Sequence, residues 1–457
     1  MLTHYSSLAV SDPNLLRFGI APRPVSCGFG LQIGGGMVYP ELNFTLPMMT
    51  IDATTWGEVV KHYREIGEMI VRAAKRLRLP GLVVEFELLP PMTETPAWGA
   101  EITQILSDAL RKAHETLQLP CALRATPTDV RDRQRPPLLR TGEEWDILCD
   151  SFEQCARAGA HILSIESVGG KEVHDEALMY GDMRGALFAL GVLAPRDMEW
   201  LWTKIVEIAH RHKVIPGADS ACGFANTAMQ LAGQGMLPEV LAAVIRAASA
   251  VRSLVAYQCG AVGPSKDCAY EGPVLKAITG TPIAMEGKSA SCAHFSPIGN
   301  VAAAMCDLWS NESVQNIRLL SGSAPEAFLE LLAYDCRLFN EATRQNKGLD
   351  YRSLLVNSDI ALSPQALVLS PESTVEIASA IVAQADPYHQ TLAAARAAVD
   401  IIERSVKRAT LTLPSREQDW LNKIRRALDD MPDNEGSLIS EMADTYAHRF
   451  SLSSYAL

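Results

Sequence analysis

No C-x-x-C pair occurs among the ten cysteines, which stand at 27, 121, 149, 155, 222, 259, 268, 292, 306 and 336. Ten are also too few for a disulfide scaffold in a chain of 457 residues. Most are therefore expected to be free thiols behaving as small buried hydrophobes, and any metal ligands among them must come from distant parts of the chain. No run approaches the roughly 18 consecutive apolar residues of a membrane span. The opening MLTHYSSLAVSDPN has no basic stretch followed by an apolar core, so a cytoplasmic protein is expected. Lys and Arg are scattered, and the net charge is -12. Without a basic stripe, nonspecific binding to nucleic acid is excluded and an acidic, solvated surface is expected. Low-complexity tracts are absent.

What is present is a large apolar fraction, 48%, enough to bury a substantial core. From Thr54 onward, Val59, Tyr63, Ile66, Ile70, Ala73 and Leu77 recur every three or four residues, one face of a helix that Pro80-Gly81 ends. Short apolar runs then alternate with helical patterns. Strands are expected at 82–86, 121–124, 161–165, 214–216, 254–258, 282–285, 316–320 and 366–369. Helices are expected near 97–117, 142–158, 175–191, 196–211, 226–250, 298–309 and 325–343. Short parallel strands need a crossover helix, so this alternation predicts an α/β fold, a (β/α)8 TIM barrel, with a doubly wound open sheet as the rival. The expected organisation is an N-terminal extension (1–53), the barrel (54–370) and C-terminal helices packed on it (371–457).

Active-site residues of such barrels sit just after strands. Glu166 ends the third expected strand, while Cys222 and Cys268 lie in the loops after the fourth and fifth. Two thiolates and a carboxylate form a ligand set for zinc with one position open, as in catalytic sites. Cys222 also precedes a helical run, whose N-terminal partial charge favours the thiolate. Cys292-Ala293-His294 is a weaker pairing, read as packing or support. The glycine-rich 27–36 stretch has G-x-G-x-x-x-G spacing, not a dinucleotide fingerprint, and reads as a tight loop. Glu85 and Glu87 are assigned opposite pleat directions, with at most one facing the barrel interior. His210 and His212 read as surface residues at a helix end.

Two stretches, GADSACGFANTAM (217–229) and GAVGPSKDCAYE (260–271) continuing to KAITGTP (276–282), resemble the methanol:corrinoid methyltransferases, zinc-containing subunit. The resemblance extends over most of the chain, most strongly over 161–300. It implies a βα barrel in which one Glu and two Cys hold Zn2+, matching Glu166, Cys222 and Cys268. The implied activity moves the methyl group of methanol to the Co(I) corrinoid (cobalamin) of a partner corrinoid protein. No D-x-H-x-x-G cobalamin-ligation motif is seen in this chain, so the corrinoid is expected on that partner, in a homo-oligomer or a hetero-oligomer with it. Hydroxide is a poor leaving group, so a proton source is expected as well, with Glu85, Glu87, Asp182 and Asp219 as candidates. The alternatives are the same chemistry on another small alcohol or methoxylated compound, or a non-catalytic docking subunit.

Overall fold

The computed structural model describes residues 2–46, 49–266, 269–314, 318–320 and 322–457. An antiparallel hairpin comes first, β1 (Ile20–Cys27) and β2 (Leu31–Gly35). Seven parallel strands follow: β3 (Tyr39–Thr45), β4 (Leu82–Leu88), β5 (Cys121–Pro127), β6 (Ile162–Ile165), β7 (Ile215–Asp219), β8 (Ala284–Glu286) and β9 (Leu308–Val314). Their order in the sheet is β7-β6-β5-β4-β3-β9-β8. The gap between β7 and β8 is filled by the irregular segment 261–266: Val262 N donates to Pro216 O at 3.0 Å, and a Cβ on Gly263 would meet Pro282 O at 2.6 Å. That segment is the sixth of eight staves, and the sheet curls into the expected (β/α)8 barrel.

Each stave is followed by a helix: α1 (Trp56–Leu77), α2 (Pro96–Leu117), α3 (Glu143–Arg157), α4 (Ala194–His212), α5 (Glu239–Cys259), α6 (Gly272–Thr279), α7 (Gly299–Ala303) and α8 (Ala324–Arg344). The apolar face foreseen for α1 is buried from Val59 to Leu77. α5 is different, being buried on every side from Val240 to Tyr257. It is long and apolar enough to cross a membrane, yet it is wholly enclosed, lying between the barrel and the helices Pro364–Leu369 and Pro387–Lys407. All-round burial explains its all-round apolar surface.

Side chains alternate along each strand, so one set faces the helices and the other the barrel axis. At the axis, Val83, Ala122, Ile162, Ala284 and Leu308 meet Cys27, Leu31 and Ile33 of the hairpin, which therefore plugs the N-terminal end of the barrel. The glycine-rich loop is the turn of this plug, with Gly28 at φ +55° and Cys121 O only 2.3 Å from any Cβ placed there. Above the apolar layer the axis becomes polar. Arg124 on β5 donates to Glu41 Oε1 (2.7 Å) on β3, Ser164 Oγ (2.8 Å) on β6 and Pro264 O (2.9 Å) in the sixth stave. One buried guanidinium thus ties together strands that meet only because the sheet is closed.

Five expectations are corrected. Tyr39–Thr45, expected within an N-terminal extension, pairs with both β4 and β9 as the first stave. Residues 254–258 are the last turns of α5, and 366–369 belong to the helix Pro364–Leu369, capped by Ser363 with Pro364 in its first turn. Both are short apolar runs, for which periodicity does not separate a buried helix from a strand. Residues 298–309 contain only the short α7 before β9 begins. Of the strand expected at 316–320, residues 316 and 317 lie outside the described residues, and Arg318–Leu319 pairs with Gly322–Ser323 in a separate two-stranded ribbon.

Candidate active site

Glu166 follows the last residue of β6, its side chain one-third exposed (33%) at the C-terminal end of the barrel. Two buried carboxylates grip the loop it begins. Ser167 N donates to Asp219 Oδ1 (3.4 Å) and Val168 N to Asp129 Oδ2 (3.1 Å). Each carboxylate is in turn held by a buried arginine. Arg131 donates to both oxygens of Asp129 (2.8 and 2.7 Å) and both of Asp197 (2.8 and 2.9 Å), and Arg252 lies 3.3 Å from Asp219 Oδ2. Burial pushes the Asp197 carboxyl up, opposed by the Arg131 guanidinium. A Cβ on Gly169 would lie 2.3 Å from the Asp197 side chain, so the loop passes over this network only because it carries glycine there. Glu166 is thereby presented on a rigid edge, as a ligand or catalytic carboxylate requires.

Cys222 lies three residues beyond the end of β7 and opens a wide helical turn, Cys222–Asn226, that runs on into the helix Thr227–Gly233. Its thiol is partly exposed, and Asn226 Nδ2 donates to its sulfur at 3.5 Å. The residue before it is fixed by Glu271, whose Oε1 accepts from Ala221 N and Ser253 Oγ, both at 2.8 Å. Burial pushes the Glu271 carboxyl up, and these two donors oppose the rise.

Cys268 lies outside the described residues, but both flanks of its segment are anchored. On one side Lys266 Nζ is 3.5 Å from Glu166 Oε1. On the other, Ala269 N donates to Ser220 Oγ at 3.1 Å, and Ala269 O accepts from Arg246. The segment is thus tied at one end to the Glu166 stave and at the other to the residues just before Cys222. Among the described residues no set of three His, Cys, Asp or Glu side chains is gathered as a metal cage. Of the expected ligands, the described residues include one carboxylate and one thiol.

The structure corrects the expectation for Glu85 and Glu87. Residues two apart on a strand share a face, and both carboxylates point inward, each 2.8 Å from Lys266 Nζ. Asp219 is buried beneath the rim, gripping Ser167 N, Ser220 N (2.6 Å) and Trp202 Nε1 (3.3 Å). Asp182 caps the helix Met183–Phe188 and accepts from Tyr446 OH at 2.8 Å, away from the axis. Cys292 is exposed and His294 half-buried at the end of the short helix Lys288–Ala293. His212 meets Glu153 on the outer surface, and His210 is exposed there. Lys266, Arg124, Glu41, Asp129 and Arg131 were not singled out from the sequence. The available signal was a charge inside an apolar strand run, as in Glu41 of YPELNFT and Arg124 of CALRATP. A cavity of about 760 Å³ is lined by Arg140, Trp145, Trp200 and Lys204 on α3, α4 and the loop before α3; Arg131 reaches Trp145 at 5.9 Å from the ring centroid, but neither Glu166, Cys222 nor Lys266 lines it.

A βα barrel that presents a carboxylate and a thiol from neighbouring staves, over an axis of paired charges, is an enzyme scaffold with its chemistry at the C-terminal rim. The chain matches the methanol-cobalamin methyltransferase B subunit family over residues 2–456 and belongs to it. It is 36% identical, over 448 residues covering 97% of this chain and 96% of the relative, to a methanol–corrinoid protein co-methyltransferase of Methanosarcina barkeri (strain Fusaro / DSM 804). It is also similar to a chain in the crystal structure of the methanol:cobalamin methyltransferase complex MtaBC from Methanosarcina barkeri, with a TM-score of 0.95, 35% identity and full coverage of both chains.

Proposed function

We propose that this chain transfers the methyl group of methanol to the Co(I) corrinoid of a partner protein, using a zinc ion held by Glu166, Cys222 and Cys268. Family membership along the whole chain supports the reaction. The observation that carries the site is the double anchoring of the Cys268 segment, to Glu166 through Lys266 and to the Cys222 stave through Ser220. The donor set fits zinc: a rim carboxylate, and a thiol at a helix start where its thiolate is favoured. When bound there, zinc supplies Lewis acidity toward the methanol oxygen.

The chain's own residues do the rest. Asp129 and Asp219 hold the Glu166 loop so that its carboxylate need not reorganise when methanol binds. Asn226 donates to the Cys222 sulfur and orients it. Of the four carboxyls weighed as proton sources, Asp182 and Asp219 are engaged elsewhere, and Glu85 is wholly buried. Glu87 is 24% exposed at the strand end and bonded to Lys266, the placement suited to exchanging a proton with the departing oxygen.

The test is metal analysis of the purified protein beside methanol-dependent methylation of reduced cobalamin. About one zinc per chain is expected, with activity lost on chelation and in Cys222→Ala. A metal-free protein of full activity, or a fully active Cys222→Ala variant, would refute the proposal.

A further inference from the structure

Lys266 has a fully buried side chain whose Nζ lies 2.8 Å from Glu85 Oε1, 2.8 Å from Glu87 Oε1 and 3.5 Å from Glu166 Oε1. An ammonium carries three protons, and here three carboxylates surround it. Two come from β4 and the third is the carboxylate at the end of β6. Glu85 is further fixed by Thr126 Oγ1 at 2.9 Å. A charge taken out of water this completely is retained only where it is paired, and this one is paired with one expected metal ligand while its backbone stands two residues before another.

We infer that Lys266 is a positioning residue for the zinc site. Its ammonium engages Glu166 through Oε1 and so fixes how that carboxylate is presented at the rim. The same ammonium occupies Glu85 and Glu87, so these two carboxylates do not compete for the ion or repel Glu166 from it. It also joins the segment that carries Cys268 to the two strands that carry the carboxylates. The inference rests on the proposed function, because it takes Glu166 and Cys268 as the ligands. It goes beyond that reading in assigning the geometry of the carboxylate ligand to a residue that touches neither methanol nor zinc.

The experiment compares wild-type protein with Lys266→Met, and with the triple variant Lys266→Met, Glu85→Gln, Glu87→Gln. The triple variant removes the buried charges together and remains informative if the single variant does not fold. Zinc retention against a chelator and the absorption spectrum of the Co(II)-substituted protein are read on whichever variant folds by circular dichroism. The expected result is zinc affinity weakened roughly 10- to 100-fold, the range for loss of a residue that orients a ligand. The Co(II) ligand-field bands should shift while thiolate-to-metal charge transfer persists. Zinc affinity within twofold of wild type, or ligand-field bands unchanged, would overturn the inference. A wild-type protein that binds no zinc would instead overturn the proposed function, so the two failures are distinguishable.

Discussion

Asp219 serves two loops with one carboxylate, holding Ser167 N beside Glu166 and Ser220 N ahead of Cys222. Its charge is balanced by Arg252, itself fully buried and stacked 4.9 Å over the Phe224 ring. Asp219→Asn keeps the shape but leaves that guanidinium without its anion. Breaking a buried pair from one side costs about 3–5 kcal/mol. The urea midpoint should fall accordingly and zinc retention with it, whereas a stability change under about 1 kcal/mol would show that the pair is dispensable.

A second residue-scale effect concerns pH. His161 is largely buried, its Nδ1 accepting from Leu123 N at 3.0 Å and its ring edge-on to Phe29 at 4.7 Å. Burial lowers its pKa from 6.5 to about 4. The unfolded chain takes up this proton near pH 6.5 and the folded chain resists until about 4, so the unfolded state binds more protons between these limits. The stabilisation is present above pH 6.5 and is lost as pH falls toward 4, on the order of 3 kcal/mol in all. His161→Gln should flatten the wild-type decline in urea midpoint across that window. Equal slopes in the two proteins would rule out this origin.

At the scale of elements, legibility followed burial pattern. β4 and β5 were readable because their apolar runs are bounded by turn residues. β3 and β9 were not, because their inward faces carry Glu41, Asn43 and Ser310 in place of the apolar residues a strand pattern needs. Those polar residues lie inside the barrel, where Glu41 meets Arg124 of β5, and such a neighbour is invisible in a local window. The last turns of α5 read as a strand for the opposite reason, since an element enclosed on all sides has no polar face to mark its period. At the rim, Glu166 and Cys222 could be picked out by their position after strands. The partners that orient them, Asp129, Asp219, Glu271 and Lys266, come from four different stretches of chain.

For the whole molecule, the C-terminal helices complete the burial of the barrel's apolar wall. Pro387–Lys407 covers α5, and Tyr455 OH accepts from Gly170 N at 2.8 Å, reaching the loop that follows Glu166. A chain ending at Ser370 would expose much of α5, an apolar surface well beyond what a soluble monomer carries. It should aggregate or bind a hydrophobic dye strongly, as static light scattering and dye fluorescence would report. A soluble, zinc-retaining 1–370 fragment would show that the barrel stands without its cover.

Composition and local periodicity by themselves determined the acidic net charge, the βα alternation and the strand-end positions of Glu166 and Cys222, because those depend on residue content or on neighbours within a few residues. Only the tertiary structure decided that an irregular segment makes the sixth stave, that residues 39–45 make the first, and that Lys266 stands among three carboxylates. Each of these turns on closure of the barrel, which brings together groups far apart in the chain. Buried charges such as these are stable only once that closure has supplied their partners.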